Sequence, residues 1–153
     1  MTTGINGHSP ILSNFLFEVD GESIGLFGEV SGLEVQVETV TYAEGGENGY
    51  VHKLPGRLTW PNIVLRRGIT NSDALFSWVN KTAGPNFEAN HDKLERATAA
   101  VTLIAEDGSR LRSWEIQGAF AVRWSGPALS AGSAEAATEE LEIAHHGFTS
   151  KTF

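Results

Sequence analysis

The stretch TAAVTLIAEDGSRLRSWEIQGAFAVRW, residues 98–124, gives the strongest indication of the fold. Its first part, Thr98–Glu106, is rich in apolar and β-branched residues and predicts a strand. The dipeptide Asp107-Gly108 predicts a tight hairpin turn, since such turns need residues that tolerate a positive φ. Arg110–Trp124 then predicts a long return strand, bent at Gly118, with apolar side chains at alternate positions: Phe120, Val122 and Trp124. The segment as a whole predicts a long antiparallel hairpin.

Further strands are predicted before and after this hairpin. The clearest alternation of side chains spans Leu33–Glu38 and predicts a half-buried strand with one wet face. Its apolar residues share one face and its polar residues the other: Leu33, Val35 and Val37 against Glu34, Gln36 and Glu38. Arg57–Arg67 predicts a long strand in which Pro61 marks an edge or a bulge. The other predicted strands are Phe15–Val19, Ser23–Val30 and Thr138–Gly147.

One helix is predicted between these strands. Residues 70–72 offer N-cap side chains, and Asp73 is expected in the first turn, where a carboxylate complements the helix dipole. Gly84-Pro85 is a helix stop signal. The predicted apolar face consists of Leu75, Phe76 and Val79, with Trp78 beside it.

Many strands, hairpin turns and one helix predict a mainly β protein. The expected architecture is two packed antiparallel sheets, a sandwich or partly closed barrel, with one flanking α-helix. A length of 153 residues fits a single domain, 1–153, in which polar residues 1–13 are expected to form a flexible N-terminal arm.

Composition narrows the possible functions. The net charge of −8 argues against general nucleic-acid binding, because that needs clustered Lys and Arg to neutralise phosphates. The chain has no cysteine, which excludes disulfides, thiolate metal sites and cysteine nucleophiles. Residues 1–10 do not resemble a signal peptide, and no apolar run approaches the length of about 18 residues that a membrane span needs.

The sequence predicts no catalytic, metal-binding or cofactor-binding residue. The five histidines show no metal-ligand spacing, and no Gly-x-Ser-x-Gly elbow or phosphate-binding loop occurs. Acidic residues cluster at Glu139, Glu140 and Glu142, but Glu140 and Glu142 share the wet face of a predicted strand. A solvated acidic face explains them, so we do not expect an enzyme. Strand alternation directs one residue of the pair Arg66-Arg67 inward.

Several segments, in order, resemble one known family. They are NFLFEVDG (14–21), GEVSGL (28–33), KLPG (53–56), PNIVLRRGIT (61–70), LFSW (75–78), VRWSGP (122–127) and EELEIAHHG (139–147). Together they resemble the tail tube proteins of contractile phages and related injection systems, over about residues 14–147. The Ala-, Ser- and Gly-rich segment 129–137 departs from the family pattern.

This resemblance implies a structural subunit of an inner tube. It implies hexameric rings that stack into a hollow tube, joined by hairpins of neighbouring subunits and driven forward by sheath contraction. The implied partners are other copies of the chain, the sheath protein, baseplate and spike proteins, and cargo effectors or DNA in the lumen. It also implies assembly in the cytoplasm of the producing bacterium, followed by incorporation into a phage tail or a released tail-like particle.

Two sets of residues are candidates for roles in such a tube. The loop Glu44–Leu54 resembles in position the family's extended loop that contacts the adjacent ring, which implies an inter-ring role for Glu47, Tyr50, His52, Lys53 and Leu54. The polar face of the predicted strand is expected to line the lumen through Glu34, Gln36 and Glu38.

Three other functions stay open at the level of sequence. A monomeric β-barrel with an apolar ligand cavity is compatible with the strand pattern. An enzyme would need a catalytic site that the motifs do not provide. A tube-initiating or baseplate-proximal relative that forms a single ring has the same expected features as the main tube subunit.

Overall fold

A computed structural model describes residues 12–42, 45–46, 49–81, 94, 96–128, 130–132 and 137–153. This part of the chain forms ten strands and one helix. The strands are β1 Leu12–Val19, β2 Glu22–Phe27, β3 Glu29–Ser31, β4 Gln36–Tyr42, β5 His52–Thr59, β6 Ile63–Gly68, β7 Ala97–Ala105, β8 Arg110–Ser125, β9 Thr138–Ala144 and β10 Phe148–Thr152; the helix is α1 Ala74–Val79. Most of the predicted N-terminal arm lies outside the described residues, and its last two residues begin β1.

All strand pairs are antiparallel, and the larger sheet has the order β2-β1-β7-β8-β9-β6-β3. The long strand β8 belongs to both halves of this sheet: its first part pairs with β7 and β10, its last part with β9. Gly118 lies between the two parts with a φ of +60°, which confirms the predicted bend. The predicted architecture of antiparallel sheets with one helix is therefore confirmed.

The core lies between the two halves of the larger sheet. Inward-facing side chains of β1, β7 and the start of β8 meet those of β6 and β9. Phe17 contacts Phe27 and Trp78 edge to face, with ring centroids 5.9 and 5.7 Å apart. The fully buried large apolar side chains are Phe17, Phe27, Ile63, Leu65, Leu75, Val101, Ile116, Leu141 and Ile143.

The helix is shorter than predicted and presents a different face. It buries Leu75 and Trp78, whereas Phe76 is exposed. The rings of Phe76 and Trp124 meet edge to face, with their centroids 5.2 Å apart. The prediction that Phe76 belongs to the buried face is wrong, because α1 lies against both β2 and β8 and turns its third residue outward. Asp73 is the N-cap residue and not, as predicted, a first-turn residue, and its side chain makes no capping hydrogen bond. The Oγ of the preceding residue, Ser72, accepts a hydrogen bond from the Ala74 N–H.

Three predicted strands are divided or shortened in the structure. Ser23–Val30 divides at Gly28 into β2 and β3, which pair with different strands. Arg57–Arg67 divides at residues 60–62 into β5 and β6, which belong to different sheets. The last predicted strand ends at Ala144, and β10 follows as a strand that the periodicity did not indicate.

Two expected apolar faces are also wrong. Val35 and Val37 are exposed, and only Leu33 of that set packs against the core. The reason is that residues 33–35 precede β4, which lies in a separate two-stranded sheet that no layer of the described residues covers. Within β8, the register against β9 shifts between Ala121 and Arg123; Val122 is exposed, whereas Trp124, beyond the bulge, packs against the core.

Candidate functional site

A two-stranded hairpin, formed by β4 and β5, stands apart from the larger sheet. Its register runs from Gln36 opposite Thr59 to Tyr42 opposite His52. Two steps along β4, from Val37 to Thr39, match three along β5, from Leu58 to Pro55, so β5 contains a bulge. Within the described residues, neither strand of this hairpin pairs with any other strand.

The hairpin exposes apolar side chains on both of its faces. The register places Val40 opposite Leu54 on one face and Val37 opposite Leu58 on the other. An isolated two-stranded hairpin is at most marginally stable in water, and a large exposed apolar area marks an interaction surface. The exposed large apolar residues of this region are Val35, Val37, Val40, Tyr42, Tyr50, Val51, Leu54 and Leu58.

The predicted inter-ring residues gather in part at the tip of this hairpin. Tyr42 and Tyr50 both lie against the ring of His52, at centroid distances of 6.5 and 5.0 Å. Leu54 follows on the same face as His52, since strand neighbours two apart share a face. Lys53 pairs with Thr41 and lies on the opposite face. Glu47 lies outside the described residues.

The predicted lumen residues lie nearer the body of the protein. Gln36 and Glu38 share one face of β4, and the side-chain amide of Gln36 donates to the Glu34 carboxylate at 2.9 Å. All three side chains are exposed. The face of β4 is therefore polar next to the body and becomes apolar toward Val40 and Tyr42.

The foot of the hairpin is fixed by His145, which sequence reasoning did not select. The Gly147 N–H donates to His145 Nδ1 at 3.0 Å, so the ring proton is on Nε2, which donates to the Pro61 carbonyl oxygen at 2.9 Å. Trp60 packs against His145 and Phe148, with ring centroids 6.1 and 5.0 Å apart. These contacts join the end of β5 to the connection between β9 and β10, and they span more than eighty residues of sequence.

The outer face of the larger sheet carries a ladder of ion pairs. Arg66 and Arg123 both bind Glu140, and the Arg123 Nε donates to Glu142 at 2.9 Å. The pKa of Glu140 lies below its usual range, mainly because of the hydrogen bond from Arg66 and, to a smaller extent, that from Arg123. The pKa of Glu142 is lowered mainly by the hydrogen bond from Arg123 and, to a smaller extent, by that from Asn62. The predicted wet face of this strand is confirmed, and its carboxylates are paired with arginines.

No catalytic or metal site is evident in the described part of the chain. No group of three or more His, Asp or Glu residues there could hold a metal ion. The surface depressions near Asp20 are open to solvent and are lined by a mixture of small, apolar and charged residues, among them Ala99, Trp78, Glu18 and Arg96.

Of the residues that the structure describes, none forms a helix both long and apolar enough to span a membrane.

Comparison with known proteins identifies the class to which this fold and hairpin belong. The family model described as T4-like virus tail tube protein gp19 matches residues 13–149. The chain belongs to this tail tube protein family. It is thus a tube protein of the kind found in phage tails and contractile injection systems. No curated protein sequence gives a significant match.

Solved structures of this class extend over most or all of the chain. One is the sheath-tube complex of PVC, an extracellular contractile injection system, in its extended state: 25% identity, a TM-score of 0.77, and coverage of 100% of this chain and 99% of that one. Another is the tube-terminating cap of the anti-feeding prophage AFP, with 27% identity, a TM-score of 0.72, and coverage of 91% and 88%. Hcp1 from Salmonella typhimurium shares the fold at 11% identity, with a TM-score of 0.55 and coverage of 93% and 87%.

Proposed function

We propose that this tail tube protein forms closed hexameric rings that stack into the hollow inner tube of a contractile particle. The observation that carries the proposal is the β4–β5 hairpin, which exposes large apolar side chains on both faces and whose outer edges pair with no strand among the described residues. Such edges pair readily with another chain, and a tube removes them by ring closure. A head-to-tail interface closes by rotation, whereas stacking along the axis stays open and produces a filament.

Rings of this kind use the two predicted residue sets for different contacts. The apolar and aromatic tip formed by Tyr50, His52 and Leu54 is suited to the adjacent ring, together with Lys53 and the loop that contains Glu47. The polar segment of Glu34, Gln36 and Glu38 is suited to the lumen. An acidic lumen repels DNA phosphates and favours passage of cargo over binding.

The role of the tube is mechanical. Sheath contraction drives it through a target envelope, and the lumen conducts effector proteins or DNA. Its outer face contacts the sheath protein, and its distal end contacts baseplate and spike proteins. The subunit assembles in the cytoplasm of the producing bacterium and then becomes part of a phage tail or a released tail-like particle.

The test is the assembly state of the purified chain at rising concentration. We expect size-exclusion chromatography and negative-stain electron microscopy to show rings and tubes, and immunoblotting to detect the chain in purified tail-like particles. A chain that stays monomeric at high concentration, and is absent from such particles, would overturn the proposal. A monomer with a filled apolar cavity would support a ligand-binding module instead.

A second candidate is a terminator or initiator that forms one ring only. The 27% identity with the AFP tube-terminating cap favours it. The full coverage and higher TM-score with the PVC tube favour the main subunit. Electron microscopy separates the two: stacked tubes identify the main subunit, and single rings that do not stack identify a terminator or initiator.

A further inference from the structure

We propose that the foot of the β4–β5 hairpin, residues 60–62 with His145 and Gly147, is a pH-sensitive switch. The neutral imidazole of His145 holds the hairpin in the orientation that assembly needs, and its protonation releases the foot. This inference rests on the proposed ring assembly, in which the hairpin provides contacts between copies. The switch joins residues of one subunit only, so it can be followed in the unassembled chain as well as in rings.

The hairpin is attached to the larger sheet through two short segments. Residues 32–35 lead from β3 into β4, and residues 60–62 lead from β5 into β6. The two segments approach each other closely, because Gly32 has a φ of +85° and a Cβ on it would collide with the Asn62 carbonyl oxygen. Within the described residues, neither hairpin strand pairs with a strand of the larger sheet. The orientation of the hairpin therefore depends on how these two segments are held.

The ring of His145 holds the second segment, and both of its nitrogens are engaged. Its Nε2–H donates to the Pro61 carbonyl oxygen at 2.9 Å, and its Nδ1 accepts from the Gly147 N–H at 3.0 Å. These two bonds together require the neutral imidazole with its proton on Nε2. A second proton would bind Nδ1 and would face the N–H of Gly147. The protonated ring therefore cannot keep its bond to Gly147.

Loss of this bond affects the end of β5 through Trp60. Gly147 lies so close to the indole that a Cβ on it would be 2.8 Å from Trp60 Cε2. Trp60 also packs against the rings of His145 and Phe148, with centroids 6.1 and 5.0 Å apart. A rotation of the imidazole or a shift of Gly147 therefore disturbs the packing of Trp60, which directly follows the last residue of β5. The foot of the hairpin then loses the contacts that fix it.

No carboxylate of the described residues bonds the imidazole of His145 and could stabilise its charged form. On its own face, Arg112 of β8 donates to Ser150 Oγ at 2.7 Å, and Arg67 and Glu139 bind each other at the other ends of β6 and β9. The remaining ionisable side chains of the surrounding strands lie on the outer faces: Glu142 on β9, His146 just after it, Glu115 on β8, Lys151 on β10 and Arg66 on β6. Protonation is therefore answered by loss of the Gly147 bond.

The direction of the pH effect follows from the neutral ring. Because only the neutral imidazole makes both bonds, assembly is favoured at higher pH and weakens as the pH falls through the titration of His145. Histidine changes its charge between about pH 5 and about pH 8. The net charge of −8 becomes less negative over this range, which reduces repulsion between copies. General electrostatics therefore predict better assembly at lower pH, and the switch predicts the opposite.

The test is the assembly of the full chain as a function of pH at constant ionic strength. We expect the concentration for half-assembly of the wild-type chain, measured by size-exclusion chromatography and electron microscopy, to rise by about 3- to 10-fold between about pH 8 and about pH 5.5. His145→Gln has a neutral amide that can donate to the Pro61 carbonyl and does not titrate. It should assemble less well than wild type at the higher pH and show no such rise. His146→Gln, at the exposed neighbouring position, is the matched control and should keep the wild-type pH dependence.

His52 at the tip of the hairpin is the competing titratable group. If the pH dependence is lost in His52→Gln and kept in His145→Gln, the titrating group lies at the tip and the inference is wrong. Equal pH dependence in wild type and His145→Gln would also overturn it, and the proposed function would stand. If the wild-type chain forms no rings at any pH, the proposed function itself fails.

The fluorescence of Trp60 keeps the inference testable if His145→Gln folds poorly. A protonated imidazole quenches a neighbouring indole more strongly than a neutral one does. The difference in emission between the wild-type chain and Trp60→Phe, recorded on the unassembled subunit, isolates the signal of Trp60. We expect this difference to fall over the same pH range as assembly. A difference that stays constant between about pH 8 and about pH 5.5 would contradict the switch, even if assembly depended on pH.

Discussion

Arg67 and Glu139 form a buried ion pair between directly opposed residues of β6 and β9, with the Arg67 Nε 2.5 Å from the Glu139 Oε1. Trp124 donates its indole N–H to the other carboxylate oxygen at 3.2 Å, and the guanidinium lies 4.8 Å from the centre of the Phe27 ring. Among the residues that the structure describes, none forms a hydrogen bond with the Arg67 Nη2. Burial of two charges is costly, so each depends on the other.

Removal of one charge from this pair should destabilise the subunit strongly. Arg67→Met leaves the Glu139 carboxylate buried without its partner, which typically costs about 3–5 kcal/mol of unfolding free energy. Chemical denaturation of the unassembled subunit measures the loss. Arg66→Met, on the exposed side of the same strand, is the matched control and should change stability little. The double variant Arg67→Met/Glu139→Leu should recover most of the loss; equal loss in single and double variants would show that the two charges are not coupled.

Gly147 should be intolerant of a side chain because it approaches the foot of the hairpin. It has a φ of +121°, and a Cβ there would lie 2.8 Å from Trp60 Cε2. Gly147→Ala should therefore lower both the melting temperature and the extent of assembly. Gly108→Ala is the control, since its φ is +86° but nothing lies within 4 Å of the added Cβ. If the two variants lose equal stability, backbone strain explains both and the Trp60 contact does not matter.

Acid should weaken the ion-pair ladder. The pKa values of Glu140 and Glu142 are lower in the folded subunit than the ordinary glutamate value of about 4.3. Their contribution to folding stability is therefore present above that value and is lost as the pH falls through the folded-state pKa values. We expect the unfolding free energy to fall as the pH drops from about 5 through the lowered pKa values of these two carboxyl groups. Glu140→Gln/Glu142→Gln should show a smaller fall over this range in the same denaturation experiment. An unchanged pH slope in the variant would contradict the assignment.

Exposed apolar side chains of the hairpin should matter for assembly and not for the monomer. Val40→Ser should change the unfolding free energy of the subunit by no more than about 0.5 kcal/mol, because Val40 is exposed there. It should nevertheless reduce ring formation, measured by size-exclusion chromatography. Leu26→Ser on β2 is the control, because Leu26 is 51% exposed and Val40 52%. Equal effects of the two substitutions on assembly would argue against a special role for the hairpin.

The sequence predicted most strands because alternation is a local property. The wet face of Glu140 and Glu142, the bend at Gly118 and the turn at Asp107-Gly108 all follow from the residues themselves and are confirmed. The family resemblance, based on short segments in order, is confirmed by the match over residues 13–149. The lumen and inter-ring residues stay predictions.

What the sequence determined by itself was which side chains share a face; what only the tertiary structure decided was what each face meets. Val35 and Val37 alternate as core residues do, yet they are exposed, because burial needs a second layer and the described part of the chain provides none over β4 or the residues just before it. Arg67 and Glu139 are 72 positions apart, and His145 meets Pro61 across 84. Such pairs depend on strand register, which distant segments fix together through packing and hydrogen bonds, so no local pattern of residues could reveal them.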